Sequence, residues 1–159
     1  MEQVHWEAIG IAMKETKRSR RVFLSKHTCG MCGVGKFMKR WKKSQDSSCP
    51  RCSDHEDAPH VWICKGTGVN DLWEKSLISL EGWFNTMHTD PNIQHSILEH
   101  LRGWRNGTSI NIPTVTLEEI LDNQSQIGWR RFFEGWLIRG WRITQQAYYR
   151  SIKSLRTGR

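Results

Sequence analysis

The chain is short of aliphatic residues, and those it has are scattered. Hydrophobic residues make up 37% of the 159 positions, a low share for a folded domain. No apolar run approaches the ~20 residues that cross a bilayer, so no membrane association is expected. The opening stretch, Met1-Glu2-Gln3-Val4-His5-Trp6, lacks the basic flank and apolar centre of a secretory signal. An intracellular protein, nuclear or cytoplasmic, with reduced thiols is therefore expected. Also missing are a glycine-rich phosphate loop, a His-Glu-x-x-His pair and paired carboxylates suited to acid–base work. A zinc deaminase would carry proline immediately before Cys-x-x-Cys, whereas here Pro50 falls inside the pair. A cysteine nucleophile at Cys29 or Cys32 beside His27 has no wider constellation to support it. The sequence reads as that of a non-enzyme.

What the chain does hold is aromatic and basic. Nine tryptophans each bring a large apolar surface, so a lean, ring-rich core is expected, not a disordered chain. The net charge of +8 is unevenly placed: residues 1–47 carry +7, 48–64 carry −2, 65–128 carry −4 and 129–159 carry +7. Basic ends around an acidic middle suit a polyanion such as nucleic acid, RNA or DNA. They equally suit a solvated basic face, or ends that dock on the acidic middle. The candidate nucleic-acid contacts are Arg20, Arg21, Lys36, Lys39, Arg40 and Lys43.

Apolar periodicity gives a mainly α fold. Val4, Ala8, Ile9, Ala12 and Met13 predict a helix within 3–15. Three glycines make 27–35 a loop. Phe37, Met38 and Trp41 among lysines predict a short basic helix, followed by a polar linker over 44–48. Asn70 or Asp71 caps a helix lined by Trp73, Leu77, Leu80 and Phe84. Asp90-Pro91 starts another, with Ile93, Ile97, Leu101 and Trp104 on one stripe, and Asn106-Gly107 ends it. Residues 110–115, broken by Pro113, read as an extended link, and Thr116 with Glu119 as a capping box. From Trp129 onward, Phe132, Phe133, Trp136, Leu137, Trp141, Tyr148, Ile152 and Leu155 predict one long helix, weakened at Gly135 and Gly140. In this segment the rings read as core, whereas Trp6 and Trp41 read as exposed. The expected organisation is residues 1–66, basic helices plus a small irregular zinc-stabilised module, packed with residues 67–159, a helical region ending in a long Trp- and Arg-rich helix.

Five cysteines, an odd number, include two Cys-x2-Cys pairs, which favours metal over disulfides. Cys49 and Cys52 are followed by His60 and Cys64. This Cys3His set can close a tetrahedral, structural zinc site. Spacing alone leaves a rival, because Cys29, Cys32, Cys49 and Cys52 also form a recognised four-thiolate pattern. His27 and His55 read as surface histidines, and Val61, Trp62 and Ile63 as residues that pack the module.

Cys49-Pro50-Arg51-Cys52, the acidic Glu56 and His60-Val61-Trp62-Ile63-Cys64 resemble the zinc-binding segment that follows reverse transcriptase domains in retroelements. The approach to it is similar too, with Arg20, Arg21 and Lys26, then Val34-Gly35-Lys36 and Met38. Ile127-Gly128-Trp129, Phe132-Phe133, Gly135, Trp141, Gln145 and Tyr148-Tyr149 more weakly resemble a tail of retroelement-like open reading frames. The likeness covers about residues 18–64 and, through the tail, reaches about residue 150. It implies that Cys49, Cys52, His60 and Cys64 are the zinc ligands and that a reverse transcriptase domain is a partner. Cys29 and Cys32 are not part of the pattern. The chain has no adjacent Asp pair to hold the two metal ions of a polymerase. It resembles a detached tail or truncated copy, without polymerase activity.

Overall fold

The computed structural model describes residues 4–108, 110 and 115–157. The fold is mainly α: α1 (Trp6–Glu15), α2 (Arg18–Thr28), α3 (Gly35–Arg40), α4 (His60–Ile63), α5 (Val69–Thr86), α6 (Pro91–Asn106), α7 (Val115–Ile127) and α8 (Arg139–Thr157), with a 3₁₀ helix at Trp129–Glu134. Among the described residues, extended pairing is limited to two isolated bridges, Val4 with Ile138 and Ser48 with His55. The extended link read over 110–115 and the capping box at Thr116 fall, for residues 111–114 and for the Thr116 side chain, outside what is described.

The chain clusters into two compact units. One consists of Glu7–Ser76 and Phe133–Gly135; the other of Met1–Trp6, Leu77–Phe132 and Trp136–Arg159. In the second unit, α6 begins where the sequence indicates. The Asp90 side chain accepts from the Asn92 amide at 2.8 Å, Pro91 occupies the first turn, and both features relieve the free amides of a helix start. Gly107 closes the helix with φ 69°, a left-handed turn that glycine adopts without strain. Ile93, Ile97, Leu98 and Leu101 are buried on α6, Leu77 and Phe84 on α5, and Leu117 and Leu121 on α7.

The last segment departs from its periodicity. Instead of one helix from Trp129, the chain makes the 3₁₀ helix, turns at Gly135 with φ 83°, passes through Ile138 in extended form, and starts α8 at Arg139. The cause lies elsewhere in the chain. The buried Gln124 of α7 donates to the Trp136 carbonyl at 3.0 Å. Its carbonyl oxygen accepts from the Ile138 amide at 3.3 Å and the Trp141 indole at 3.2 Å. The His5 amide donates to the Leu137 carbonyl at 2.8 Å. These bonds satisfy a backbone that cannot be helical there. Trp129 and Trp141 are buried and Trp136 half-buried, as a core reading of the stripe expects, while Trp6 is exposed.

In the first unit the basic run from Arg18 is helical, because it forms the opening turns of α2. That helix ends at the Cys29 pair. Gly30, with φ 66°, donates to the His27 carbonyl at 2.9 Å, and the Met31 amide donates to the Lys26 carbonyl at 2.7 Å. This pair of bonds is the double closure common at helix C-termini. His27, read as a surface residue, is buried instead. It stacks beneath Phe23 (6.0 Å, planes 5° apart) and meets Trp62 edge-on at 5.2 Å. Trp62 in turn stacks on Phe133 at 4.1 Å, and Phe133 meets Trp73 at 5.7 Å. The module too small for its own core is thereby held by rings.

Candidate metal centre

The candidate metal-binding loop starts from a tight turn. The Cys49 amide donates to the Asp54 carbonyl at 2.7 Å and the Ser53 amide to the Cys49 carbonyl at 2.9 Å, with Ser53 at φ 67°. Ser48 and His55 pair on either side of it. This turn brings Cys49 and Cys52 to one point. The opposite side is α4, a single helical turn that carries His60 and delivers Cys64 at its end. The His60 amide is bound by the Asp57 carboxylate at 2.9 Å, and the Cys64 amide donates to the His60 carbonyl at 2.8 Å. A single turn cannot form by itself in water, so these bonds at either end are what hold it.

The four ligand atoms of Cys49, Cys52, His60 and Cys64 lie within 4.8 Å of one another and can hold one metal ion. Tetrahedral geometry at zinc bond lengths places two sulfurs about 3.8 Å apart, and a sulfur and a nitrogen about 3.5 Å apart. The Sγ atoms of Cys49 and Cys64 are 3.8 Å apart, and Cys52 Sγ lies 3.2 Å from His60 Nε2. Cys49 and Cys64 are buried, while Cys52 and His60 are half-buried. The cluster therefore fits an ion shielded on one side and bound entirely by protein.

The electrostatics of the cluster shift two of its thiols in opposite directions. Burial pushes the Cys49 thiol up, but the Arg51 and Cys52 amides and the His60 and Cys52 side chains outweigh it, and the pKa falls to about 7. At Cys52 the Asp54 amide lowers the pKa. Burial and the neighbouring Cys49 and Cys64 sulfurs oppose it and push the thiol up to about 12. Three sulfurs this close cannot all carry charge without a cation between them. A metal ion held among them would supply that charge.

Two close approaches fix the loop in its unit. A Cβ on Gly66 would lie 2.7 Å from the Arg51 backbone, so the exit segment can pass the turn only without a side chain. There the Gly66 amide reaches Cys64 Sγ at 3.4 Å and the Arg51 guanidinium donates to the Thr67 carbonyl at 3.2 Å. Likewise, a Cβ on Gly35 would lie 2.6 Å from the Ser47 carbonyl oxygen. Glu56 caps α3 here, its carboxylate accepting from the Gly35 amide at 2.6 Å and its backbone carbonyl from the Lys36 amide at 2.8 Å. Asp57 and Gly66 escaped the sequence reading. The Asp57-x-x-His60 spacing, a carboxylate three residues before a helical amide, is a signal that could have found Asp57.

The rival cysteine pair stands outside the cluster. Cys32 is buried with Val34, Ala58 and Phe37; burial, reinforced by the Glu56 charge, raises its pKa. Cys29 is exposed. His55 is exposed and bonds Ser47 Oγ through Nδ1 at 3.0 Å. The six basic candidates all lie in this unit with exposed side chains: Arg20 and Arg21 on α2, Lys36, Lys39 and Arg40 on α3, and Lys43 just beyond it. Exposed rings lie among them, Phe23 on α2 and Trp41 at the end of α3. No helix among the described residues is long and apolar enough to cross a membrane. No known protein family, curated protein or solved structure matches the chain.

Proposed function

We propose that the chain is a non-catalytic, zinc-structured module that binds nucleic acid through the basic α2–α3 surface. The observation that carries it is the convergence of Cys49, Cys52, His60 and Cys64 within 4.8 Å. Three soft thiolates and one imidazole select zinc over magnesium or calcium. Four protein donors leave no open position for substrate or water, so the ion's role is structural, and its binding energy contributes to folding. Residues 14–43 hold eleven Lys and Arg against one acid, a density suited to phosphates. The closed metal site leaves no open coordination position for a substrate, and on this reading the module is not an enzyme.

The same residues support kinship with the zinc-binding segment after retroelement reverse transcriptase domains. Val34-Gly35-Lys36 and Glu56, two parts of that pattern, are bonded to each other, as pieces of one module would be. A second reading, a protein-interaction module, draws on apolar side chains left in water. In the second unit, Ile78, Trp83 and Ile143 are each exposed and accessible to a partner.

Metal quantitation on the purified chain tests the first claim. One zinc per chain, lost in Cys64→Ser and retained in Cys29→Ser, is expected. Zinc lost in Cys29→Ser and kept in Cys64→Ser would select the four-thiolate alternative. Affinity for RNA or DNA that falls steeply with salt supports the nucleic-acid reading. Protein capture that survives nuclease treatment, without such affinity, supports the second.

A further inference from the structure

We infer that the module binds single-stranded nucleic acid, with Phe23 as a base-stacking platform that the zinc ion positions through His27 and Trp62. The inference rests on the nucleic-acid reading above and goes beyond it in naming the form of the strand, the platform and its coupling to the metal.

Arg20, Phe23, Lys26 and His27 recur at three- and four-residue steps and share one face of α2. Phe23 is 60% exposed, a heavy apolar exposure in the middle of a cationic helix. Its inner side is not free to tumble, because it rests parallel on the buried His27 ring. His27 meets Trp62 edge-on, and Trp62 lies on α4 between the two metal ligands His60 and Cys64. Trp62 is stacked in turn on Phe133. A continuous series of rings thus runs from the metal loop to the outer face of Phe23. Trp41, 43% exposed and tilted against Phe37, offers a second ring among Lys39, Arg40, Lys42 and Lys43.

Flat exposed rings flanked by cations are the means by which proteins hold unpaired bases, with phosphates on the cations and bases on the rings. In a duplex the base faces are already stacked, so the rings gain nothing there and only the cations act. The metal enters by geometry. Ligation of His60 and Cys64 fixes α4, α4 fixes Trp62, and Trp62 supports the imidazole under Phe23. Trp62 is therefore a positioning residue for the platform.

The test compares a fluorescent oligothymidine strand with a duplex of equal length, using the zinc-loaded full chain. The strand is expected to bind more tightly than the duplex. Phe23→Ala, compared with wild type at equal zinc content and helicity, should weaken strand binding on the order of tenfold. Duplex affinity and the salt dependence should stay unchanged, since the phosphate contacts remain. Trp62→Leu should lose the strand preference while keeping one zinc per chain, and Trp62→Phe should restore most of it. A variant that also loses zinc or helicity is replaced in the comparison by the Phe23 result, which stands alone. Equal wild-type affinity for strand and duplex, or a Phe23→Ala chain that binds the strand as before, overturns the inference and leaves phosphate binding standing. A Trp62→Leu chain that keeps its zinc and its strand preference overturns the coupling. Absence of salt-sensitive binding to either form removes the nucleic-acid reading itself.

Discussion

Zinc loading should release protons, and their number follows from the cluster. The perturbation is a change of pH from 7 to 6 around metal binding. With its pKa near 7, Cys49 is about half thiolate at neutral pH; with its pKa pushed up to about 12, Cys52 is wholly thiol. Both must be thiolate to bind the ion. These two groups alone therefore release about 1.5 protons per ion at pH 7, and close to two at pH 6. Protons compete with the metal, so affinity rises with pH; between pH 6 and 7 the slope of log affinity against pH should average at least about 1.7. Lowering the pH by one unit across that window should weaken zinc binding at least about fiftyfold. Calorimetric titration in buffers of different ionisation enthalpy counts the protons, and competition with a chromophoric chelator gives the affinities. Release of fewer than one proton per ion, or an affinity that is flat between pH 6 and 7, would refute a thiol at Cys52 in the metal-free cluster.

Further outcomes follow from other parts of the structure. Gln124→Leu should destabilise the chain by about 2–4 kcal/mol in urea unfolding, because the Ile138 amide and the Trp141 indole lose their acceptor inside the core. A cost below about 1 kcal/mol would show that these donors find another partner. Gly66→Ala should weaken zinc binding about tenfold, since a methyl there meets the Arg51 backbone at 2.7 Å; unchanged zinc affinity would contradict that close approach. Brief alkylation of the native, zinc-loaded chain should modify Cys29 far ahead of the other four cysteines, by peptide mass spectrometry. Prompt modification of Cys52 or Cys64 would be incompatible with a metal between them.

Much of the helical pattern was legible because its causes are local. The Asp90-Pro91 start, the Gly107 stop and the Ile93, Ile97 and Leu101 stripe lie within one stretch, and α6 follows them closely. Trp73, Leu77 and Phe84 likewise show on α5 as a buried stripe. The chain after Trp129 was not legible. Its rings repeat at helical intervals, yet Gln124 and His5 hold three of its backbone groups in a non-helical path. The second of these is more than a hundred residues away. The burial of His27 was hidden for the same reason: its neighbours in the ring series, Trp62 and Phe133, are distant in sequence. Periodicity reports which residues want to be buried, but not which remote polar group will interrupt the helix that carries them.

The two Cys-x2-Cys pairs show where spacing stops carrying chemistry. Both place two sulfurs three positions apart, and composition does not separate them. What separates them is where the intervening amides point. After Cys49 the chain turns so that the Arg51 and Cys52 amides face the Cys49 sulfur and stabilise thiolate. After Cys29 the corresponding Met31 amide is already taken by the Lys26 carbonyl, closing α2. With that donor committed, the first sulfur is left in solvent, and the second turns into the Val34, Ala58 and Phe37 cluster, where burial raises its pKa. Whether such a pair sits in a turn or at a helix end is decided by what precedes it. The eleven residues of the basic α2 precede Cys29, whereas the polar, helix-poor Ser44-Gln45-Asp46-Ser47-Ser48 precedes Cys49. The pair that joins the candidate metal cluster is the one whose preceding residues leave its amides free for sulfur.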